Sequence, residues 1–135
     1  MNTRSTDTER VVRRHLQAFV EQKGLDAIVS DYADEACFLS EDREYRGRQE
    51  IRRFFEGFIA ALPPRAIAEF ALRSLRVEDD VAYITWSAGR ELPLGTDTFF
   101  VRNGKIVSQT FAIYAAPTAR ELRLAPPAAG HSGAC

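Results

Sequence analysis

From about Asp7 to Lys23 apolar residues recur at helical spacing. Val12, Leu16, Phe19 and Val20 form one stripe, with Val11 and His15 on its flank. The spacing predicts a first helix, with Thr6 and Glu9 as a capping box and Gly24 as its stop. A short second helix is expected over Leu25–Tyr32, turning Leu25, Ile28, Val29 and Tyr32 inward. Ala36–Ser40 reads as a short strand and Glu41–Arg46 as a charged loop. The helical period returns after Gly47 and runs to about Leu62, where Ile51, Phe54, Phe55, Phe58 and Ile59 make a wide aromatic face. Glu50 suits the positive end of that third helix, and Pro63-Pro64 end it.

Beyond the prolines the pattern turns to β. Strands are expected at Ala66–Glu78, Val81–Glu91, Gly95–Arg102 and Lys105–Ala115, with Asn103-Gly104 as a hairpin turn between the last two. Helices around one short strand, followed by a four-strand meander, argue for an α+β fold. The strands are apolar on both faces: Val81, Tyr83 and Thr85 alternate with Ala82, Ile84 and Trp86. One face is then covered by the helices. The other is expected to meet a second copy of the chain, giving a homodimer through the outer face of the sheet; the alternative is a single-chain sheet with a semi-polar outer face. Pro126–Cys135 is rich in Pro, Ala, Gly and Ser and is expected to be disordered. The chain thus divides into one domain over residues 1–120 and a tail over residues 121–135.

At 135 residues a single domain can bury enough surface to fold without a metal or a disulfide. A net charge of −1 gives no electrostatic reason to expect nucleic acid or an anionic membrane as a partner. No apolar run approaches membrane-spanning length, and Met1 to Arg14 has no signal-peptide core. Cys37 and Cys135, read as free thiols, fit a reducing cytoplasm. With His15 and His131 as the only histidines, metal-site spacing is missing; so are a glycine-rich phosphate loop and a nucleophile elbow. Cofactor-free chemistry or simple ligand binding remains.

Asp97 is the residue that breaks the pattern. Alternation puts it on one strand face with Phe99 and Val101. A carboxylate buried there without partners costs several kcal/mol, so it must find donors or take a proton. The alternative is a strand-end aspartate that reaches water or caps a turn.

Four stretches then carry a family resemblance: Leu25-Asp26-Ala27-Ile28-Val29, Tyr32-Ala33-Asp34-Glu35-Ala36, Tyr45-Arg46-Gly47-Arg48-Gln49-Glu50-Ile51-Arg52-Arg53-Phe54-Phe55, and Gly95-Thr96-Asp97-Thr98-Phe99 followed by Asn103-Gly104-Lys105-Ile106. Over about Thr8 to Ala115 the chain resembles the SnoaL-like and ketosteroid-isomerase-like proteins of the nuclear transport factor two-like superfamily. The resemblance implies a cone, in which a curved antiparallel sheet wraps three N-terminal helices around an apolar pocket, and a dimer through the outer face of the sheet. It places Asp97 where ketosteroid isomerases keep an oxyanion-binding acid, Tyr32 where they keep a supporting tyrosine, and Trp86 where they keep a pocket tryptophan. It also places Ser40 at the position of their general base, Phe19 at that of their oxyanion tyrosine and Phe55 at that of another supporting tyrosine. A serine hydroxyl is too weak a base for carbon acids, so the ordinary steroid-isomerase route is not expected.

The expected site therefore has Asp97 and Tyr32 as catalytic groups. Phe19, Phe38, Ser40, Phe54, Phe55, Phe58, Ile84, Trp86, Phe99, Gln109 and Phe111 are expected to bind a small apolar molecule, without metal or cofactor. Tyr32 is either a donor to a substrate carbonyl or a packed core tyrosine. His15 reads as an exposed flank residue, with the pocket mouth as its alternative. The last strand can present Gln109 with Phe111 or Ser108 with Thr110. A strict two-residue hairpin pairs Phe99 with Ser108, apolar alternation favours Gln109, and a bulge would reconcile them. Three functions fit these residues: a cofactor-free isomerase- or cyclase-like enzyme acting on a carbonyl compound, a non-catalytic small-molecule binder, or a structural module whose pocket is filled by side chains.

Overall fold

The computed structural model describes residues 2–116. Three helices and six strands follow in the order α1 (Thr3–Val20), α2 (Leu25–Val29), β1 (Tyr32–Leu39), β2 (Glu44–Arg46), α3 (Gly47–Ala61), β3 (Phe70–Glu78), β4 (Val81–Ala88), β5 (Leu94–Arg102) and β6 (Lys105–Tyr114). One curved sheet has the strand order β2-β1-β6-β5-β4-β3. The α+β class with helices against a curved sheet is the expected one. The sheet is mixed, however, not wholly antiparallel: β1 runs parallel to β6. Because β2, α3 and β3–β5 lie between them in sequence, these two strands need not run antiparallel as a hairpin must.

Several boundaries move for identifiable reasons. The first helix begins at Thr3, not Asp7, because the Asn2 side chain accepts from the Ser5 N–H and caps it; Thr6 is inside the helix. Ser5 and Thr8 are then buried against the β3–β4 turn, where the Ser5 hydroxyl accepts from Asp79 N–H at 2.9 Å and the Thr8 hydroxyl donates to the Asp79 carbonyl at 2.6 Å. The second helix stops at Val29, and Tyr32 opens β1 instead of closing that helix. The charged loop holds a three-residue strand at Glu44–Arg46, and β3 begins at Phe70 because residues 64–69 are turns after the prolines. The expected tail over residues 121–135 lies outside the described residues.

The core sits between the helices and the inner sheet face. Val12, Ile28, Ile51, Phe38, Ile84, Phe99 and Ile106 are fully buried in it. At the β5–β6 hairpin Asn103 and Gly104 both take positive φ, +52° and +75°, which is what a two-residue turn matched to strand twist requires. A bulge follows: Phe100 pairs with Ser108 while Val101 pairs with Ile106, leaving Val107 as the extra residue. That one residue puts Gln109, Phe111 and Ile113 on the inner face, with Phe99 opposite Gln109.

Candidate functional site

Asp97 lies on β5 between two donors placed by register. On β4, Trp86 pairs with Gly95, two positions before Asp97; on β6, Gln109 pairs with Phe99, two positions after it. Both partners are diagonal neighbours on the same face, within reach of long side chains. Trp86 Nε1 donates to Asp97 Oδ1 at 2.7 Å, and Gln109 Nε2 donates to Oδ2 at 2.7 Å. Gly95 makes the first contact possible. A Cβ there would stand 2.1 Å from the Trp86 ring, so only glycine leaves the indole space to lie across β5.

The polar chain continues inward. Tyr32 at the start of β1 donates its hydroxyl to Gln109 Oε1, and the same oxygen lies 3.3 Å from His15 Nε2 on α1. His15 Nδ1 lies 3.3 Å from the Ile28 carbonyl at the end of α2. His15 is 3% exposed, not a surface flank residue. Its ring is boxed edge-on by Tyr32, Phe55 and Phe99, with centroids 5.2, 5.7 and 5.8 Å away. Near it Asp31, also buried, is held by Arg14 Nε at 2.6 Å.

Burial sets the electrostatics. It pushes the Asp97 carboxyl up to about 6, against the opposing pull of the Trp86 and Gln109 hydrogen bonds. It drives His15 down to about 4, partly offset by the negative charge of Asp31 and by the Ile28 carbonyl. The Tyr32 hydroxyl is pushed well above its ordinary value by burial first and by Asp97 and Asp31 second. At neutral pH the histidine and the tyrosine are therefore neutral.

Asp97 faces a cavity of about 40 Å³. Helix α1 lends it His15, Leu16 and Phe19, and α3 lends Phe54, Phe55 and Phe58. Phe38 comes from β1, Phe70 from β3, Trp86 from β4, Phe99 from β5, and Gln109 and Phe111 from β6. The space holds a water or two and falls well short of the ~300–1,000 Å³ of pockets for drug-sized ligands. Leu16, Phe54, Phe58, Phe70 and Phe111 are only half-buried and form its rim.

Three expected site residues stand elsewhere. Tyr32 is fully buried behind the cavity, with its hydroxyl turned to Gln109 and His15. Ile84 pairs with Asp97 across β4–β5 but packs into the core without lining the space. Ser40 sits on the turn after β1, bonding to Asp42 and to the Arg43 carbonyl. Arg90 is exposed and belongs to a separate hollow bordered by Pro63, Pro64, Glu69 and Gly89. Among the described residues no group of three or more His, Cys, Asp or Glu side chains could hold a metal ion, and no helix is long and apolar enough to cross a membrane.

Comparison with known proteins gives the same architecture. A family model described as a SnoaL-like domain matches residues 12–109. An NTF-2 like protein of unknown function from Burkholderia xenovorans is 19% identical, with a TM-score of 0.68 over 95% of this chain and 100% of that one. A Kribbella flavida protein proposed to be a ketosteroid isomerase is 16% identical, with a TM-score of 0.62 over 93% of both chains. A Sinorhizobium meliloti protein proposed to be a polyketide cyclase is 19% identical, with a TM-score of 0.61 over 76% of this chain and 93% of that one. At such identities the likeness carries the fold alone. No curated protein matches the chain.

Proposed function

The chain belongs to the SnoaL-like family, and on that footing we propose that it is a small cofactor-free enzyme moving a proton on an apolar, carbonyl-bearing molecule. The observation that carries this reading is the Asp97 carboxyl, buried to 6% exposure, facing an aromatic cavity and held near a pKa of about 6. A group with that pKa is mostly ionised at neutral pH yet readily reprotonated, which suits one residue that takes a proton from carbon and returns it. Asp97 would be the catalytic group. Tyr32, with its hydroxyl engaged behind the cavity, would act through Gln109 and not on the substrate. The aromatic walls would hold the apolar body of the ligand, and the half-buried rim, Phe54, Phe58 and Phe70, would have to swing aside to admit it. Names given to two fold neighbours, ketosteroid isomerase and polyketide cyclase, are compatible with proton transfer beside a carbonyl.

A non-catalytic binder of the same fold is the second reading. It is favoured by the two internal donors that already occupy both Asp97 oxygens and by the small cavity. Deuterium uptake by β-tetralone in heavy water, followed by NMR, separates the two. The enzyme reading expects exchange above the buffer rate and a loss of ~10²–10⁴-fold in folded Asp97→Asn. An Asn variant with the wild-type rate ends the acid/base role. Saturable binding of the ketone without exchange selects the second reading.

We also propose a homodimer through the outer sheet face, where Tyr83, Leu94, Phe100 and Tyr114 are 42%, 47%, 40% and 56% exposed. Among the described residues Cys37 is a half-buried thiol without a disulfide partner, which supports a reducing, cytoplasmic setting.

A further inference from the structure

The chain from Asp97 to Ile28 has more acceptors than its protons can serve. The Tyr32 hydroxyl has one proton and gives it to Gln109 Oε1. Its contact with His15 Nε2 at 3.3 Å must then be filled by a proton on the histidine. The other imidazole nitrogen, Nδ1, also faces an acceptor, the Ile28 carbonyl at 3.3 Å. A neutral imidazole has a single N–H, so in this order Nδ1 turns a lone pair toward a carbonyl oxygen. A half-turn of the Gln109 amide reverses every link. Gln109 Nε2 then donates to Tyr32, Tyr32 to His15 Nε2, and His15 Nδ1–H to Ile28. All four groups are served, but Gln109 Oε1 now faces Asp97 Oδ2, and two acceptor oxygens can meet there only if Asp97 carries a proton. The two orders differ by one proton, and that proton is on Asp97.

We infer that Gln109, Tyr32 and His15 are positioning residues that act on Asp97 as one unit. A protonated Asp97 goes with the Nδ1–H form of His15, and an ionised Asp97 with the Nε2–H form. The inference deepens the acid/base reading of Asp97 and rests on it only for its catalytic meaning. Asp97 alone gains or loses a proton, exchanged at the cavity with substrate or water. His15 keeps one proton and changes which nitrogen bears it. The neighbours do not blur this balance. Phe55 on α3, Trp86 on β4 and Phe99 on β5 carry no charge, and the charge of Asp31, before β1, is matched by Arg14. The low pKa of His15 agrees with a ring that stays neutral throughout.

Nitrogen NMR on isotope-labelled histidine tests the coupling, in full-length protein carrying His131→Gln so that a single imidazole remains. Between about pH 5 and pH 8 the two His15 nitrogens should exchange their protonated and unprotonated shifts, with the midpoint of the Asp97 carboxyl carbon measured in parallel. In Asp97→Asn the side-chain N–H replaces the acid proton, and His15 should stay in the Nδ1–H form throughout that pH range. Gln109→Met breaks the chain, so His15 should no longer follow Asp97; it serves also if the Asn variant fails to fold. A His15 tautomer that ignores the Asp97 titration in the wild type overturns the inference, as does one that still responds in Gln109→Met. No readout here uses turnover, so loss of coupling and absence of catalysis are separate results.

Discussion

Asp97 and His15 should oppose each other in the pH dependence of stability. Folding raises the Asp97 carboxyl from 3.8 to about 6 and lowers the His15 imidazole from 6.5 to about 4. The folded chain holds the Asp97 proton more tightly than the unfolded chain, so stability falls as pH rises from about 4 to about 6. It holds the His15 proton less tightly, so stability falls in the other direction, as pH drops from about 6.5 to about 4. At ~1.4 kcal/mol per pKa unit each group is worth about 3 kcal/mol over its window. Near pH ~5 the slopes are about −1 kcal/mol per pH unit for Asp97 and about +1 for His15, so together they nearly vanish. Asp97→Asn removes the first and should leave stability climbing with pH; His15→Gln removes the second and should leave it falling. Urea unfolding of the three chains at several pH values measures this. Carboxylates away from the site, such as Asp42 and Asp80, whose pKa values are lowered by hydrogen bonds from Ser40 and Arg4, are common to all three and drop out of the differences. Parallel stability curves for the wild type and Asp97→Asn across this window would falsify the claim that burial keeps Asp97 protonated.

Gly95→Ala should cost ~1–3 kcal/mol or more, because the new methyl group meets the Trp86 ring at 2.1 Å and must push it from Asp97. The chain has one tryptophan, so its fluorescence reports the move; an unchanged spectrum would show that the indole never depended on that gap. Tyr83→Glu with Phe100→Glu should turn a sedimenting dimer into a folded monomer. A wild-type chain that sediments as a monomer at high micromolar concentration would remove the dimer proposal.

The sequence pattern located the third helix, the four-strand meander and the acid on β5 because each rests on local rules: a 3.6 period, a period of two, an Asn-Gly turn. Its failures were tertiary. The buried stripe of α1 includes Ser5, Thr8 and His15, which a search for apolar residues passes over; each is satisfied by Asp79, Ile28 or Tyr32, far away or across the core. A signal for His15 did exist, since it stands four residues from both Val11 and Phe19, at the centre of the stripe. Gly95 inside a strand likewise marks a close approach, but only the pairing with Trp86 says what approaches. The start of β1 was hidden because Asp34 and Glu35 are exposed in its middle, and the partner that makes it a strand is β6.

That parallel pairing also orders events in time. Tyr32 and Gln109 stand 77 positions apart, and β1 has no partner on its inner side until β6 exists. A chain emerging from its N-terminus therefore carries the β6-facing edge of β1 unpaired, and the sides of Phe54 and Phe58 that meet Phe111 uncovered, until β6 is made, a state in which exposed apolar surface invites aggregation. Pairings so distant in sequence also close slowly. Neither the Gln109 donor to Asp97 nor the acceptor of the Tyr32 hydroxyl exists before then, so a chain that stops short of β6 lacks both hydrogen bonds.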